Sequence, residues 1–285
     1  MSAVLPSWVI LDPLLRSWLQ EDLGRGDRTT EGIFQDRVLS TSGHWVAKQN
    51  GAIAGLTLAQ RVFSLLDPSV VFNPLVEEGM EVVSGTKIAE FSGAVQPLLT
   101  GERVALNLAM RLSGIATATS QYVVQIQELP TKLLDTRKTT PGLRILEKYA
   151  VAVGGGTNHR LGLDDAVMIK DNHIQAAGGI ESAVKMVRQY IPYTTTVEVE
   201  TTKLSEVKEA IAAKADIIML DNMSLEAMEE AVKLIKSQAS NIKIEASGNI
   251  TLETIRQVAL TGVDYISTSA TITRSPWLDL SMCFD

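Results

Sequence analysis

The sequence predicts an α/β fold whose C-terminal part is an incomplete parallel (β/α) barrel. Apolar strand-like runs alternate there with helix-like stretches, and a polar residue follows each run. The runs are LLD, AVMI, TTVEV, DIIML, IKIEA and VDYIST, and the helix-like stretches are 141–152, 180–190, 203–213, 224–237 and 251–261. Such repetition implies parallel strands joined by right-handed crossovers. Six units instead of eight indicate an incomplete barrel. The rival, an open doubly wound sheet, would need a glycine fingerprint after its first strand, and none is present.

The N-terminal part has a different character. Asp12-Pro13 before an apolar stripe predicts a helix that ends at Gly24. Residues 38–98 contain short runs broken by glycine and proline, which is typical of strands joined by tight turns. A second helix is expected over 101–128, with a bend at Ser113-Gly114.

Composition excludes several classes of protein. The 285 residues are 45% apolar and 21% charged, which is typical of a globular protein with a real core. A net charge of −7 argues against a surface that coats nucleic acid or anionic lipid. The single cysteine, Cys283, excludes an intrachain disulfide and a multi-cysteine metal site. No run approaches a membrane span, and the first residues lack a basic targeting region, so we expect a cytoplasmic protein that binds neither membrane nor nucleic acid.

Basic residues are concentrated between positions 135 and 173. Arg137, Lys138, Arg160 and Lys170 lie at strand ends or in a loop. Cations in such places are costly to bury without a counter-ion, so they predict a pocket for an anionic ligand. Ion pairs with Asp164, Asp165 or Asp171 are the alternative explanation.

Other features of this stretch have simpler interpretations. Arg144 and Lys148 are four residues apart on a predicted helix and are expected to lie on its solvated face. Gly154-Gly155-Gly156 would let the backbone approach a phosphate or carboxylate, or would only turn the chain. A zinc site at His159 and His173 is not expected, because their spacing of 14 does not match helical ligand pairs.

Carboxylates and hydroxyls follow the later strands. Glu200 and Asp221 end consecutive strands, where they could hold magnesium or hydrogen-bond sugar hydroxyls. Ser247-Gly248-Asn249 and Thr268-Ser269-Ala270 follow the last two strands and precede helices. Loops after late barrel strands are a recurrent phosphate site.

Together these segments resemble the quinolinate phosphoribosyltransferase family. The resemblance is carried by EDLGRGDRTT, GERVALNLAMRLSGIAT, DTRKTTPGLR, GGGTNHRLGLDDAVMIKDNHI, VEVET, DIIMLDNMS, IEASGNIT and GVDYIS, which span nearly the whole chain in the family's order. It implies an N-terminal α/β sandwich domain, 1–114, joined by the tail 275–285 and packed beside a barrel domain, 115–274, in a homodimer or an assembly of dimers.

The resemblance also implies a reaction and roles for individual residues. Quinolinate and 5-phosphoribosyl 1-pyrophosphate would react with Mg²⁺ to give nicotinate mononucleotide, pyrophosphate and CO₂. Arg103 would reach the quinolinate of the neighbouring subunit. Lys138, Glu200 and Asp221 would be catalytic, with the last two attending the ribose and its Mg²⁺. The quinolinate site would be lined by Thr136, Arg137, Lys138, His159, Arg160 and Lys170, and the 5-phosphate would be held by residues 247–249 and 268–270.

The sequence departs from the family at the phosphate site, and it leaves other functions open. Ser269 stands where the family usually has glycine, and Thr273-Arg274 stands where a histidine or lysine is common. The alternatives are a paralogue associated with molybdate transport, a lyase that forms a Schiff base through Lys138 or Lys170, and a non-catalytic carboxylate or phosphosugar binding protein. The segment LVEEGMEVVSGTKIAEFSG is also similar to lipoyl and biotinyl carriers, but it lacks their hairpin-tip lysine.

Overall fold

The computed structural model describes residues 3–35, 37 and 39–285. Two compact units divide the chain. The first contains the described residues up to Ser120 together with 145–155 and 275–285, and the second contains 121–144 and 156–274. Residues 145–155, which the sequence division places with the barrel, group with the first unit. No helix in the described part of the chain is both long enough and apolar enough to cross a lipid bilayer.

The first unit is built on a four-stranded antiparallel sheet. Its helices are α1 (Trp8–Leu23), α2 (Arg28–Phe34), α3 (Leu56–Leu66), most of α4 (Val95–Ile126) and most of α5 (Arg144–Val153). Its strands are β1 (Ser40–Ala47), β2 (Gly51–Ala52), β3 (Val71–Pro74), β4 (Glu81–Val82), β5 (Lys87–Ala94) and β12 (Leu280–Phe284). The sheet has the order β12-β1-β5-β3, and β2 pairs separately with β4. Trp45, Phe63 and Phe72 are buried together, with the rings of Trp45 and Phe72 edge to face at 5.2 Å.

The second unit is the parallel barrel that the sequence predicts. Its strands are β6 (Lys132–Leu134), β7 (Val167–Ile169), β8 (Val197–Thr201), β9 (Ile217–Asp221), β10 (Lys243–Ser247) and β11 (Tyr265–Ser267). Its helices are α6 (Asp171–Ala177), α7 (Ile180–Tyr190), α8 (Leu204–Ala212), α9 (Leu225–Gln238), α10 (Ile255–Leu260) and α11 (Ala270–Thr273).

The six strands pair in the order β6-β11-β10-β9-β8-β7, so that β6 and β7 are the two edges of the sheet. The first strand of the unit pairs with the last, so the sheet curls round on itself, and the opening lies between β6 and β7. Beside this opening Thr157 forms a single parallel bridge to Leu134 of β6. All six predicted strands are therefore confirmed, and the barrel is incomplete as expected.

Two local predictions in the first unit are wrong, and the break considered at Ser113-Gly114 is not found. α1 begins at Trp8 with Ser7 as its N-cap, not at Asp12, whose carboxylate accepts a hydrogen bond from Arg61 Nε at 2.8 Å. The span 38–98 contains the helix α3 as well as strands. α4, the helix expected over 101–128, is helical through Ser113-Gly114, and Ser113 Oγ there accepts a hydrogen bond from Ala54 N at 2.8 Å in the packed interior.

The solvated position predicted for Arg144 and Lys148 is wrong for Lys148, whereas Arg144 is partly exposed. Lys148 is only 2% exposed and Glu147 is fully buried, so this face of α5 lies in the interior. Arg144 Nε donates to Thr139 Oγ1 at 3.0 Å. The helical spacing of two charged residues does not show whether their side chains are solvated or buried, and here Lys148 is buried.

Candidate active site

A cavity of about 670 Å³ lies within the second unit, at the carboxyl ends of its strands. This volume is typical of a small-molecule site. Every site residue predicted from the sequence except Arg103 lines it: Thr136, Arg137, Lys138, His159, Arg160, Lys170, Glu200, Asp221, Ser247, Gly248, Asn249, Thr268, Ser269 and Ala270. Arg103 is exposed on α4 of the first unit.

The period of two along each strand selects the residues that face this cavity. In β9, Ile218 and Leu220 pack in the hydrophobic core, whereas Met219 and Asp221 line the cavity. The same alternation places the glutamates of β8 and β10 on the inner face, since the valines and aliphatic residues between them belong to the core. The last inward-facing residues of β8, β9 and β10, Glu200, Asp221 and Ser247, are therefore all polar.

Two half-buried arginines lie next to each other in the cavity wall. Arg160 has a lowered pKa because of its burial and the nearby charge of Arg137, and its Nη1 donates to Ala166 O at 2.8 Å. Arg137 Nη1 is buried with no hydrogen-bond partner among the described residues. A buried, unmet donor beside a second guanidinium is costly unless an anion binds there. The pair therefore offers hydrogen-bond donors and positive charge that suit a carboxylate or phosphate.

His159 is held from both sides of its ring. Its Nε2 lies 3.1 Å from Glu198 Oε2 and 3.5 Å from Glu245 Oε2, and both glutamates are buried. Its Nδ1 lies 2.7 Å from the backbone nitrogen of Arg160. Burial lowers the pKa of His159, but the hydrogen bonds and charges of the two glutamates outweigh it and raise the pKa to about 10. Burial also raises the pKa of Glu198.

The same geometry argues against a metal at this cluster. His159, Glu198 and Glu245 are close enough together to share an ion. A metal at Nε2 requires a lone pair on that nitrogen. The raised pKa of His159 instead favours a proton on Nε2, between the two carboxylates. The arrangement is a hydrogen-bonded clamp on the imidazole.

Asp135 braces the loop that carries His159. It is fully buried at the end of β6, and its carboxylate accepts hydrogen bonds from Asn158 Nδ2 at 2.7 Å and from His159 N at 2.8 Å. A buried carboxylate needs such donors. The aspartate thus fixes the backbone of the Asn-His-Arg segment against the first strand of the barrel.

Lys170 pairs with Glu200, and not with the three aspartates weighed from the sequence. Lys170 Nζ contacts Glu200 Oε2 across the ends of the neighbouring strands β7 and β8. Asp221 ends the next strand, and its Oδ2 accepts a hydrogen bond from Asn222 Nδ2 at 2.7 Å. Two carboxylates and an ammonium group therefore line the side of the cavity formed by β7–β9.

The two predicted phosphate loops follow neighbouring strands. β10 and β11 pair in parallel, and Thr268 Oγ1 donates to Ile250 O at 3.3 Å, linking the loops. Ser269 has φ −86°, an ordinary helical value that does not require glycine. The serine therefore fits the backbone, and it adds a hydroxyl group to the cavity lining.

The triple glycine has no place in the cavity lining. A Cβ on Gly154 would lie 2.4 Å from the carbonyl oxygen of Ala116, so this residue is glycine because it packs against α4. Gly155 has φ +88°, which turns the chain. Of the two interpretations left open by the sequence, the structure supports the turn.

The sequence analysis missed several residues of the cavity and its surroundings, among them Glu198, Glu245 and Asn222. Glu198 and Glu245 precede Glu200 and Ser247 by two residues, and this period was the available signal, since it places each pair on one face. Asn222 also lines the cavity and follows Asp221 directly.

Comparison with known proteins agrees with this geometry. Residues 115–283 match the family model described as quinolinate phosphoribosyl transferase, C-terminal domain. Residues 27–113 match the model for the N-terminal domain of the same enzyme. The two matches together cover most of the chain.

The chain also matches individual proteins over nearly their full length. The chain is 60% identical over 279 residues to a probable nicotinate-nucleotide pyrophosphorylase [carboxylating] of Synechocystis, covering 98% of this chain and 94% of that protein. It is 46% identical to the protein of the same name from Bacillus subtilis, covering 95% and 92%. The crystal structure of NadC from Streptococcus pyogenes superimposes with a TM-score of 0.93 at 44% identity, covering 98% of both chains. The chain belongs to the quinolinate phosphoribosyltransferase family.

Proposed function

We propose that the protein transfers the phosphoribosyl group of 5-phosphoribosyl 1-pyrophosphate to quinolinate, with loss of CO₂, to give nicotinate mononucleotide and pyrophosphate. One observation carries the proposal. The cavity places a half-buried arginine pair, Arg137 and Arg160, in the same space as two carboxylates, Glu200 and Asp221. This combination fits an anionic ring and a sugar that becomes positively charged. The relatives described above are named for this reaction.

The arginine pair binds quinolinate in this proposal. Quinolinate has two adjacent carboxylates, and the guanidinium groups offer several donors, one of which is buried and unmet. Thr136 and Lys138 come from the same strand end, and Lys138 N is bonded to Thr136 Oγ1 at 3.0 Å. The exposed ammonium group of Lys138 supplies a mobile positive charge for the substrates and for the departing pyrophosphate.

Glu200 and Asp221 act on the ribose. Positive charge develops at the anomeric carbon as pyrophosphate leaves, and carboxylates close to the sugar stabilise it. Lys170 holds Glu200 by an ion pair and so fixes its orientation. The loops 247–249 and 268–270 bind the 5-phosphate, at the ends of paired strands.

Mg²⁺ fits the same carboxylates. Glu200 and Asp221 offer oxygen donors at neighbouring strand ends, and Mg²⁺ prefers such donors in company with substrate phosphates. When bound, the ion neutralises the developing charge of the pyrophosphate leaving group. Decarboxylation leaves the electron pair of the broken C–C bond on the ring carbon next to the nitrogen, whose positive charge after transfer stabilises it, and a proton from solvent then takes the place of the lost CO₂.

The central experiment incubates purified protein with quinolinate, 5-phosphoribosyl 1-pyrophosphate and Mg²⁺, and measures nicotinate mononucleotide and CO₂. Both products are expected, and chelation of Mg²⁺ should abolish turnover while quinolinate still binds. Arg188→Met removes a positive charge that pairs with Asp216 outside the cavity, so this variant should still form both products. Folded protein that forms neither product and binds neither substrate would contradict the proposal.

We further propose a homodimer, or an assembly of dimers, in which Arg103 completes the neighbouring subunit's quinolinate site. The exposed position of Arg103 on α4 supports this. Arg103→Ala and Lys138→Ala subunits, each inactive alone, should regain part of the activity when mixed. No recovery despite demonstrated subunit exchange would count against a shared site. We place the reaction in the cytoplasm, consistent with the free thiol of Cys283.

A further inference from the structure

Two asparagines that line the cavity have a left-handed backbone conformation, which residues other than glycine rarely adopt. Asn222 has φ 53° and Asn249 has φ 51°. Within the described ranges, the other residues of this kind are Gln35 and Lys214. Left-handed backbone costs energy for most L-residues, and asparagine is one of the few that tolerate it. Here Asn222 directly follows β9, and Asn249 lies two residues beyond the neighbouring strand β10.

A chain of hydrogen bonds joins these residues to Asp221. Asn249 Nδ2 donates to Asn222 Oδ1 at 3.0 Å, and Asn222 Nδ2 donates to Asp221 Oδ2 at 2.7 Å. The backbone N–H of Asn222 donates to Ser247 O at 2.9 Å. Because the amide of Asn222 accepts at one end and donates at the other, its orientation is fixed, and it occupies one oxygen of Asp221.

Gly248 makes room for this amide. It has φ +95°, and a Cβ there would lie 2.3 Å from Asn222 Oδ1 and 2.8 Å from Asn222 Nδ2. Any side chain at position 248 would displace the Asn222 amide. We call Asp221, Asn222, Gly248 and Asn249 the asparagine bracket.

We propose that Asn222 is a positioning residue that sets the orientation of Asp221 and ties it to the loop 247–249. The inference rests on the proposed function, in which Asp221 attends the ribose and the loop holds the 5-phosphate. Asp221 and Ser247 are register partners across β9 and β10, so the two parts of the bracket are already adjacent in the sheet. The bracket then holds the groups for the ribose and the 5-phosphate at a fixed separation.

The test replaces Asn222 with glycine, which accepts the backbone conformation but lacks the amide. We expect the KM for 5-phosphoribosyl 1-pyrophosphate and the Kd for ribose 5-phosphate to rise roughly tenfold or more, as for the loss of a hydrogen bond to a charged group. The Kd for quinolinate should not change. Asn222→Asp should bind ribose 5-phosphate more weakly still, because it sets a carboxylate against Asp221. Lys214→Gly is the matched control, since Lys214 has φ 58° and precedes β9 at its opposite end.

A double-mutant cycle separates positioning from a general structural role. If Asn222 acts through Asp221, Asn222→Gly should weaken ribose 5-phosphate binding little further in an Asp221→Asn protein. An equal loss in both backgrounds would overturn the inference, as would a parallel loss of quinolinate binding. Failure of the proposed function is distinguishable, because it appears as a wild-type protein that forms no nicotinate mononucleotide, whereas the cycle measures binding alone.

Discussion

Replacing Arg160 with methionine should weaken quinolinate binding strongly while leaving the fold nearly as stable as before. Each hydrogen bond to a charged partner contributes about 1.5–3 kcal/mol, so loss of the guanidinium should raise the Kd about 10- to 150-fold. The free protein loses the bond to Ala166 O at 2.8 Å, a loss of about 1 kcal/mol. It also loses the burial of a charge and the repulsion from Arg137, which lower the pKa of Arg160. These effects oppose each other, so the free energy of unfolding should change by less than about 1 kcal/mol.

Denaturant unfolding with and without quinolinate measures both effects. A ligand at 100 times its Kd stabilises the folded state by about 2.7 kcal/mol. At the same concentration a tenfold weaker Kd leaves RT ln(1 + 10), or about 1.4 kcal/mol. Arg188→Met, outside the cavity, should keep the full effect. Undiminished stabilisation of the Arg160→Met protein by quinolinate, or an equal loss of ribose 5-phosphate binding, would refute the assignment of the arginine pair to quinolinate.

Three further predictions concern other parts of the structure. The folded-state pKa of His159, about 10, lies above its ordinary value of 6.5, so its contribution to stability is complete below about pH 6.5 and is lost as the pH rises through 10. The unfolding free energy of the wild type relative to His159→Gln should therefore fall between these pH values, and a constant difference would contradict the clamp. Gly154→Ala should lower the free energy of unfolding by about 1–3 kcal/mol through its clash with Ala116 O, with kinetic constants unchanged. Ser269→Gly should change stability by about 1 kcal/mol or less, because the serine backbone is already unstrained, and a larger loss would show that its side chain stabilises the fold.

The strand ends could be predicted from sequence because two simple rules coincide there. Apolar runs of strand length identified β6–β11, and parallel strands bring their carboxyl ends to one edge. Lys138, Glu200 and Asp221 follow such runs, so their convergence required no knowledge of packing. The prediction failed for Lys148, since a charge at helical spacing has the same pattern whether it is solvated or buried.

The support beneath the site could not be read in the same way. Glu198 lies within a strand between two valines of the core, and its importance depends on His159, which arrives from a loop 39 positions earlier in the chain. The roles proposed for Asn222 and Asn249 depend on their positive φ angles, which no pattern in the local sequence predicts. Residues that orient other residues are defined by three-dimensional contacts, whereas residues at strand ends are defined by topology.

The charged residues that line the cavity are mostly basic, although the protein as a whole is acidic. The chain has a net charge of −7, yet the protonated His159 and Arg137, Lys138, Arg160, Lys170 and Arg274 line the cavity against Glu200, Asp221 and Glu245, an excess of three positive charges from these groups. The two carboxylates and three phosphate groups of the proposed substrates carry more negative charge than this excess can neutralise. A bound divalent cation and an arginine from a second subunit would supply the remainder. The cavity of a single subunit is therefore expected to bind quinolinate or the phosphosugar alone more readily than both together, and Mg²⁺ should strengthen binding of the second substrate more than that of the first.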